Sequence, residues 1–234
     1  MGEEKKTYYL GIDIGSTTFK AVLLSGSGKV ERTVYRRTQP VEGGKVSCAG
    51  NCSSCGRCSG GSIKKLALEF LRAAGLTFSD ISAVVVTGSQ IVEDTRQFIP
   101  FDFQVSEVTA HVAGAKFLHP DVDAIIDCGG QDSKCMVYNP TMKLWTSMMS
   151  GVCAAGTGSF LDSVAQKLGV KVEDVADKVN YESNTEFSSV CAVLSATSIN
   201  KFKNRVPVGD LLAGACKAQA RTILNSVGQL LLNA

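Results

Sequence analysis

Short runs rich in apolar, β-prone residues recur three times near the start of the chain, at residues 8–13, 19–24 and 30–36, each bounded by polar, Gly-containing stretches. Runs of that length and composition predict strands. The joints are G-S-T-T (15–18) and S-G-S-G (25–28), short and polar, so the three runs predict a β-meander. The pattern then changes. Ile63, Leu66, Ala67, Phe70, Leu71 and Ala74 recur at three- and four-residue spacing, a helix stopped at Gly75. Residues 81–87 (I-S-A-V-V-V-T) predict a buried strand followed by Gly88, and residues 108–118 predict a helix with Ser106 or Glu107 at its start. His111 on that helix reads as a hydrogen-bonded packing residue.

The strand theme then returns in residues 122–127, 134–138 and 144–149, with Trp145 read as core. Helical spacing follows in 159–168 and 172–179, and residues 208–232 predict one long amphipathic helix. Its inner side carries Leu211, Leu212, Ala215, Ala218, Ile223, Val227 and Leu230. Residues 186–194 carry Cys191.

Two of these runs match each other in detail. G-I-D-I-G-S-T-T-F-K and I-D-C-G-G-Q-D-S-K both read strand, Asp, Gly turn, polar pair, Lys, strand, with Asp127 lying 114 residues beyond Asp13 (127 less 13). Such an internal repeat implies two like-folded lobes facing one another, each offering a hairpin to a bound nucleotide. The turns suit phosphate: Gly15, Gly129 and Gly130 let backbone approach an anion, and Ser16, Thr17 and Thr18 offer hydroxyls and N–H groups. Asp13 and Asp127 end their strands where a carboxylate holds Mg²⁺ through water. A third Gly-rich stretch, V-C-A-A-G-T-G-S-F (152–160), puts Gly156, Thr157 and Gly158 at the start of a helix. Helix N-termini attract anions through bare N–H groups and the macrodipole. Cys153 stands three residues ahead of that loop, a thiol placed to register whether phosphate is bound.

Cysteine usage changes the picture. The chain has nine, and four of them form C-x3-C-x2-C-x2-C at Cys48, Cys52, Cys55 and Cys58 within a Gly- and Ser-rich stretch (39–61) that predicts no packed element. Four thiolates so spaced wrap one metal centre: an iron–sulfur cluster, structural Zn²⁺ as the rival, or free reactive thiols as the bland alternative. Cys128, Cys135 and Cys216 read as packing thiols. With 44% apolar and 20% charged residues and a net charge of +2, nothing in the composition calls for nucleic acid or an anionic membrane. No apolar run approaches the ~18 residues of a membrane span, and residues 1–8 lack the core of a signal peptide. The expectation is a cytoplasmic protein.

Four ordered motifs, G-I-D-I-G-S-T-T-x-K, I-D-C-G-G-Q-D-S-K, C-A-A-G-T-G-S-F-L-D and S-S-V-C-A-V, together resemble the ATP-dependent activators of 2-hydroxyacyl-CoA dehydratases and the ATPase subunits of benzoyl-CoA reductase. The resemblance runs over residues 8–232 and implies an α/β, actin-like ATPase fold of the sugar kinase, heat-shock and actin superfamily, with two ribonuclease-H-like lobes. It implies a first lobe over 1–105, carrying the Cys-rich insertion at 43–61, and a second over 106–234. It implies hydrolytic roles for Asp13, Asp127 and Gln131. ATP/ADP and Mg²⁺ contacts would come from Gly15, Ser16, Thr17, Thr18, Lys20, Gly129, Gly130, Asp132, Lys134, Gly156, Thr157 and Gly158. It further implies a homodimer sharing one [4Fe-4S] cluster held by Cys153 and Cys191 of each subunit. That cluster would take electrons from a donor such as ferredoxin or flavodoxin and pass them, driven by ATP, to a dehydratase or reductase component. For one electron, roughly 59 mV corresponds to about 1.4 kcal/mol, so a few kcal/mol of conformational work shifts such a donor by ~100–200 mV.

Three departures accompany the resemblance. Ser195-Ala196-Thr197-Ser198 stands where the family has an acidic A-E-S-E run. The cysteine insertion is absent from the simple activators, which implies an extra electron-entry cluster or a metal-bearing docking knob. The later T-G-G adenosine loop is missing, so the expectation is a second lobe cut short. Two other readings stay open: a small-molecule kinase of the same superfamily, with Asp127 or Asp132 as base, and a metal-binding sensor or interaction module without ATPase activity.

Overall fold

The computed structural model describes residues 7–16, 18–37, 59–91, 95–151, 157–187 and 192–232. Thr17, Cys48, Cys52, Cys55, Cys58, Cys153, Gly156 and Cys191 lie outside the described residues. Two compact units divide the chain, Met1–His111 and Val112–Ala234.

The first unit is built on a five-stranded sheet of β1 (Tyr8–Ile14), β2 (Thr18–Ser25), β3 (Val30–Arg37), β4 (Ala83–Thr87) and β5 (Phe103–Gln104). Their order is β3-β2-β1-β4-β5. The first three strands run antiparallel, as the short polar joints require, while β4 joins β1 in parallel after a helical crossover. Alternation decides the core face. Leu10, Ile12 and Ile14 from β1 and Phe19, Ala21 and Leu23 from β2 are buried beneath Ile63, Ala67, Phe70 and Leu71 of α1 (Ser59–Arg72). Each such side chain taken fully out of water contributes about 1.5–3 kcal/mol. The opposite face keeps Gly11, Asp13, Lys20 and Val22 half-buried. Helix α1 begins at Ser59, inside the stretch expected to lack a packed element. It ends as expected: Gly75 takes φ +71°, and the Leu76 and Gly75 N–H groups cap the carbonyls of Leu71 and Arg72. The short α2 (Thr95–Phe98) and then α3 (Glu107–Leu118) follow. Ser106 starts α3 by accepting the Thr109 N–H on its hydroxyl at 3.1 Å. The division between the two units falls inside α3, at His111, a half-buried residue.

The second unit repeats the meander as β6 (Ala124–Cys128), β7 (Ser133–Asn139) and β8 (Leu144–Met149), antiparallel in that order. Helices α4 (Gly158–Lys167), α5 (Val175–Lys178), α6 (Ala192–Phe202), α7 (Val208–Ser226) and α8 (Gln229–Leu232) follow, with a 3-10 turn at Val172–Asp174 before α5. Phe160, Val164, Phe187, Ile199, Leu211, Leu212 and Ala215 form its main core. Cys135, Val137 and Val227 form a smaller one under Ile223, Leu230 and Leu231.

Four sequence expectations are corrected here. The single helix over 208–232 is two helices: Val227 leaves helical geometry (φ −123°), and a Cβ on Gly228 would lie 2.5 Å from the Leu224 carbonyl oxygen, so the chain turns there. Helix α6 was not foreseen, because its apolar residues follow no clean stripe. Trp145 is half-buried and tilted against Tyr138 at 5.8 Å, not core, since β8 is one of the sheet's two edge strands. Cys128 is exposed at the end of β6, where the Gln219 amide donates to its sulfur at 3.0 Å, whereas Cys135 is fully buried.

Burial pushes the Cys135 and Cys216 thiols above the ordinary range, which leaves less of each as the nucleophilic thiolate. Alkylation read by peptide mass spectrometry is therefore expected to modify Cys128 first, Cys216 more slowly and Cys135 last. Equal rates for Cys128 and Cys135 in the folded chain contradict the placement of both strands. Among the described residues no helix is long and apolar enough to cross a membrane.

Candidate functional site

Strand alternation places Asp13 and Lys20 on one face of the β1–β2 hairpin, and the ladder sets them directly opposite each other. The Lys20 Nζ donates to Asp13 Oδ2 at 2.6 Å, with side chains 43% and 21% exposed. The turn between them is closed by the Gly15 N–H on the Thr18 carbonyl at 2.9 Å, and Thr18 itself is buried. Ser16 is half-buried in the bend. Asp13 and Lys20 border a cavity of about 680 Å³, with Gly11, Val22, Tyr35 and Thr87 among its walls.

The β6–β7 hairpin reproduces this register: Asp127 stands opposite Lys134. Here the lysine is nearly buried, 8% exposed, with its Nζ 3.0 Å from Asp132 Oδ2 and 3.9 Å from Asp127 Oδ2. One ammonium facing two carboxylates leaves a net negative charge, a set of hard oxygen donors of the kind Mg²⁺ takes. The turn is tight. A Cβ on Gly129 would lie 2.8 Å from the Asp132 carbonyl oxygen, so only glycine fits. Gln131 at its tip is exposed.

The start of α4 is brought against this same turn. The Gly158 N–H donates to the Gly129 carbonyl at 2.8 Å, the Ser159 N–H to the Gly130 carbonyl at 3.1 Å, and the Ser159 hydroxyl to that second carbonyl. Thr157 is fully buried at the helix start. The Gly158 N–H, expected to cradle phosphate, thus braces the Gly129–Gly130 turn together with that of Ser159. Within the second unit, Asp127, Gly129, Gly130, Asp132, Lys134, Thr157 and Gly158 form one cluster. In the first unit, Asp13, Gly15, Ser16, Thr18 and Lys20 form another.

One contributor escaped the sequence reading. Gly88, just beyond β4, packs flush against the end of β1: a Cβ there would lie 2.7 Å from Asp13 Oδ1. The signal available was a glycine directly after a buried V-V-V-T strand, which marks a close backbone approach.

The sequence model described as the BadF/BadG/BcrA/BcrD ATPase family matches residues 10–231. The chain is 29% identical to the 2-hydroxyisocaproyl-CoA dehydratase activator of Clostridioides difficile, over 95% of this chain and 76% of that protein. It is 32% identical to the (R)-2-hydroxyglutaryl-CoA dehydratase activating ATPase of Acidaminococcus fermentans, over 94% of this chain and 78% of that protein. Among solved structures it resembles the activator of the 2-hydroxyisocaproyl-CoA dehydratase from Clostridium difficile with bound ADPNP. The TM-score is 0.73 at 27% identity, covering 93% of this chain and 74% of that one.

Proposed function

The chain belongs to the BadF/BadG/BcrA/BcrD ATPase family, with its actin-like ATPase fold, and from that premise we propose that it is an ATP-driven electron-transfer activator. It delivers a low-potential electron to a 2-hydroxyacyl-CoA dehydratase or a related acyl-CoA reductase. The carrying observation is the duplicated hairpin, in which Asp13 opposes Lys20 and Asp127 opposes Lys134 with the same spacing, in a chain matched by an ATPase family almost end to end. In this reading Asp13 is a carboxylate that holds Mg²⁺ through water, Asp127 plays the matching part in its own hairpin with Asp132 beside it, and Lys20 and Lys134 each fix the carboxylates of their own unit and offset phosphate charge. Gly15, Ser16, Thr17, Thr18, Gly129, Gly130 and Gly156 bring backbone close to the nucleotide, and Thr157 and Gly158 act through the Gly129–Gly130 turn they stand against. The exposed Gln131 amide orients the attacking water, as a glutamine does in other phosphoryl-transfer sites.

The redox part of the reading is supported by the sequence: Cys153 and Cys191 as ligands of a [4Fe-4S] cluster shared in a homodimer, and Cys48, Cys52, Cys55 and Cys58 as ligands of a second cluster or Zn²⁺. Such a cluster supplies the one-electron chemistry; ferredoxin or flavodoxin is the donor class proposed to load it. Anaerobic purification with iron, sulfide and ATPase assays tests the whole. The expected result is ATP hydrolysis and about one cluster per dimer beyond any centre held by the four-cysteine segment, with Cys153→Ala losing that shared cluster while Cys48→Ala keeps it. Full iron and an intact dimer in Cys153→Ala overturn the proposal. So does a colourless monomer that phosphorylates a sugar, or zinc in the four-cysteine segment without either activity.

A further inference from the structure

We propose that Gly88 is a positioning residue for Asp13, a role that rests on the hydrolytic reading of that carboxylate. Parallel pairing sets Thr87 beside Asp13, so the chain leaves β4 at the tip of β1. There Gly88 adopts φ +116°, in the left-handed region. Its Cα face is closed: a Cβ would lie 2.3 Å from the Ile14 carbonyl oxygen and 2.7 Å from Asp13 Oδ1. Neither neighbour is free to retreat. The Ile14 carbonyl accepts the Gln90 N–H at 3.0 Å, and Asp13 Oδ2 is held by Lys20 at 2.6 Å. The Thr87 hydroxyl also ties the end of β4 to the Val105 carbonyl at 3.0 Å. The carboxylate is therefore held by Lys20 on one oxygen and has no room beside the other for a side chain at position 88. A side chain at position 88 has to turn the carboxylate off Lys20 or push β4 away from it.

Backbone strain alone does not account for this arrangement, and a second glycine separates the two effects. Gly75 also has positive φ, +71°, yet a Cβ there meets nothing within 4 Å. Gly88→Ala and Gly75→Ala both force alanine into the left-handed region, but only the first strikes Asp13.

The test compares these variants in the full chain. Lys20 is scored by its acylation rate with an N-hydroxysuccinimide ester, read by peptide mass spectrometry, and ATP hydrolysis is measured alongside. Gly88→Ala is expected to raise Lys20 labelling severalfold, as its amino group is released from Asp13 and becomes accessible to the ester, with Gly75→Ala at the wild-type rate. It is also expected to lower kcat by about tenfold or more, with KM changed by less than about threefold. On an Asp13→Asn background, Gly88→Ala should add no further loss, because both changes act through one group. Unchanged Lys20 labelling in Gly88→Ala, or an equal loss of kcat on both backgrounds, overturns the proposal. A wild-type chain without ATP hydrolysis defeats the ATPase reading instead, and Lys20 labelling then decides positioning alone. If Gly88→Ala does not fold, Thr87→Val removes the tether to Val105 without adding an atom at 88. Faster Lys20 labelling there supports the positioning role, and an unchanged rate overturns it.

Discussion

Asp13→Asn is expected to reduce ATP hydrolysis roughly 10²–10³-fold while leaving the first unit folded. The substitution is nearly isosteric, and the amide oxygen still accepts the Lys20 hydrogen bond that the carboxylate accepts at 2.6 Å. What disappears is the negative charge proposed to hold Mg²⁺, in a side chain only 21% exposed, where water does little to replace it. Asp127→Asn, at the matching place in the second hairpin, should behave alike. Steady-state ATPase assays over a range of Mg²⁺ concentrations check this, and the lost activity should return in part at high Mg²⁺. Activity within twofold of wild type in both variants removes these carboxylates from the reaction.

Lys134→Met is expected to cost the second unit about 3–5 kcal/mol, the usual cost of deleting one partner from a buried ionic cluster. The ammonium is 8% exposed and stands 3.0 Å from Asp132 and 3.9 Å from Asp127. Without it two carboxylates face each other in a partly desolvated turn, and the Gly129–Gly130 segment braced by α4 loses its electrostatic anchor. The matching change at Lys20, whose side chain is 43% exposed, should cost only about 0–1 kcal/mol, because solvent screens that pair. Urea unfolding followed by tryptophan fluorescence separates the two. Trp145 is the chain's single tryptophan and sits on β8, so it reports on the second unit. A loss below about 1 kcal/mol for Lys134→Met means the cluster is solvated after all.

These two lysines show how far a repeat is legible in sequence. Both occupy the same place in the same motif, and the ladder of each hairpin sets its lysine opposite its aspartate, a register the motif alone did not state. Nothing local distinguishes the solvated lysine from the buried one. That difference arises because Asp132 folds back over Lys134, and because α4, starting 24 residues further on (158 less 134), closes on the turn. The same holds for the two Gly-rich stretches 129–130 and 156–158: each reads as a phosphate loop by itself, yet Gly158 and Ser159 give their N–H groups to the other's carbonyls.

By itself the sequence determined the two antiparallel meanders, the stripe of α1 and its stop at Gly75, the repeat of the Asp–Gly turn–Lys motif in both hairpins and the membership of an ATPase family. All of these follow from side-chain periodicity, turn chemistry or residue order, which act over a few residues. Only the tertiary structure decided that Gly88 lies against Asp13, that Lys134 is buried, that Trp145 and Cys128 are not core, and that the last long helix breaks before Gly228. Burial and close approach depend on what packs against a residue from tens of positions away, and hydrophobic pattern specifies which side of an element faces inward without specifying what arrives there.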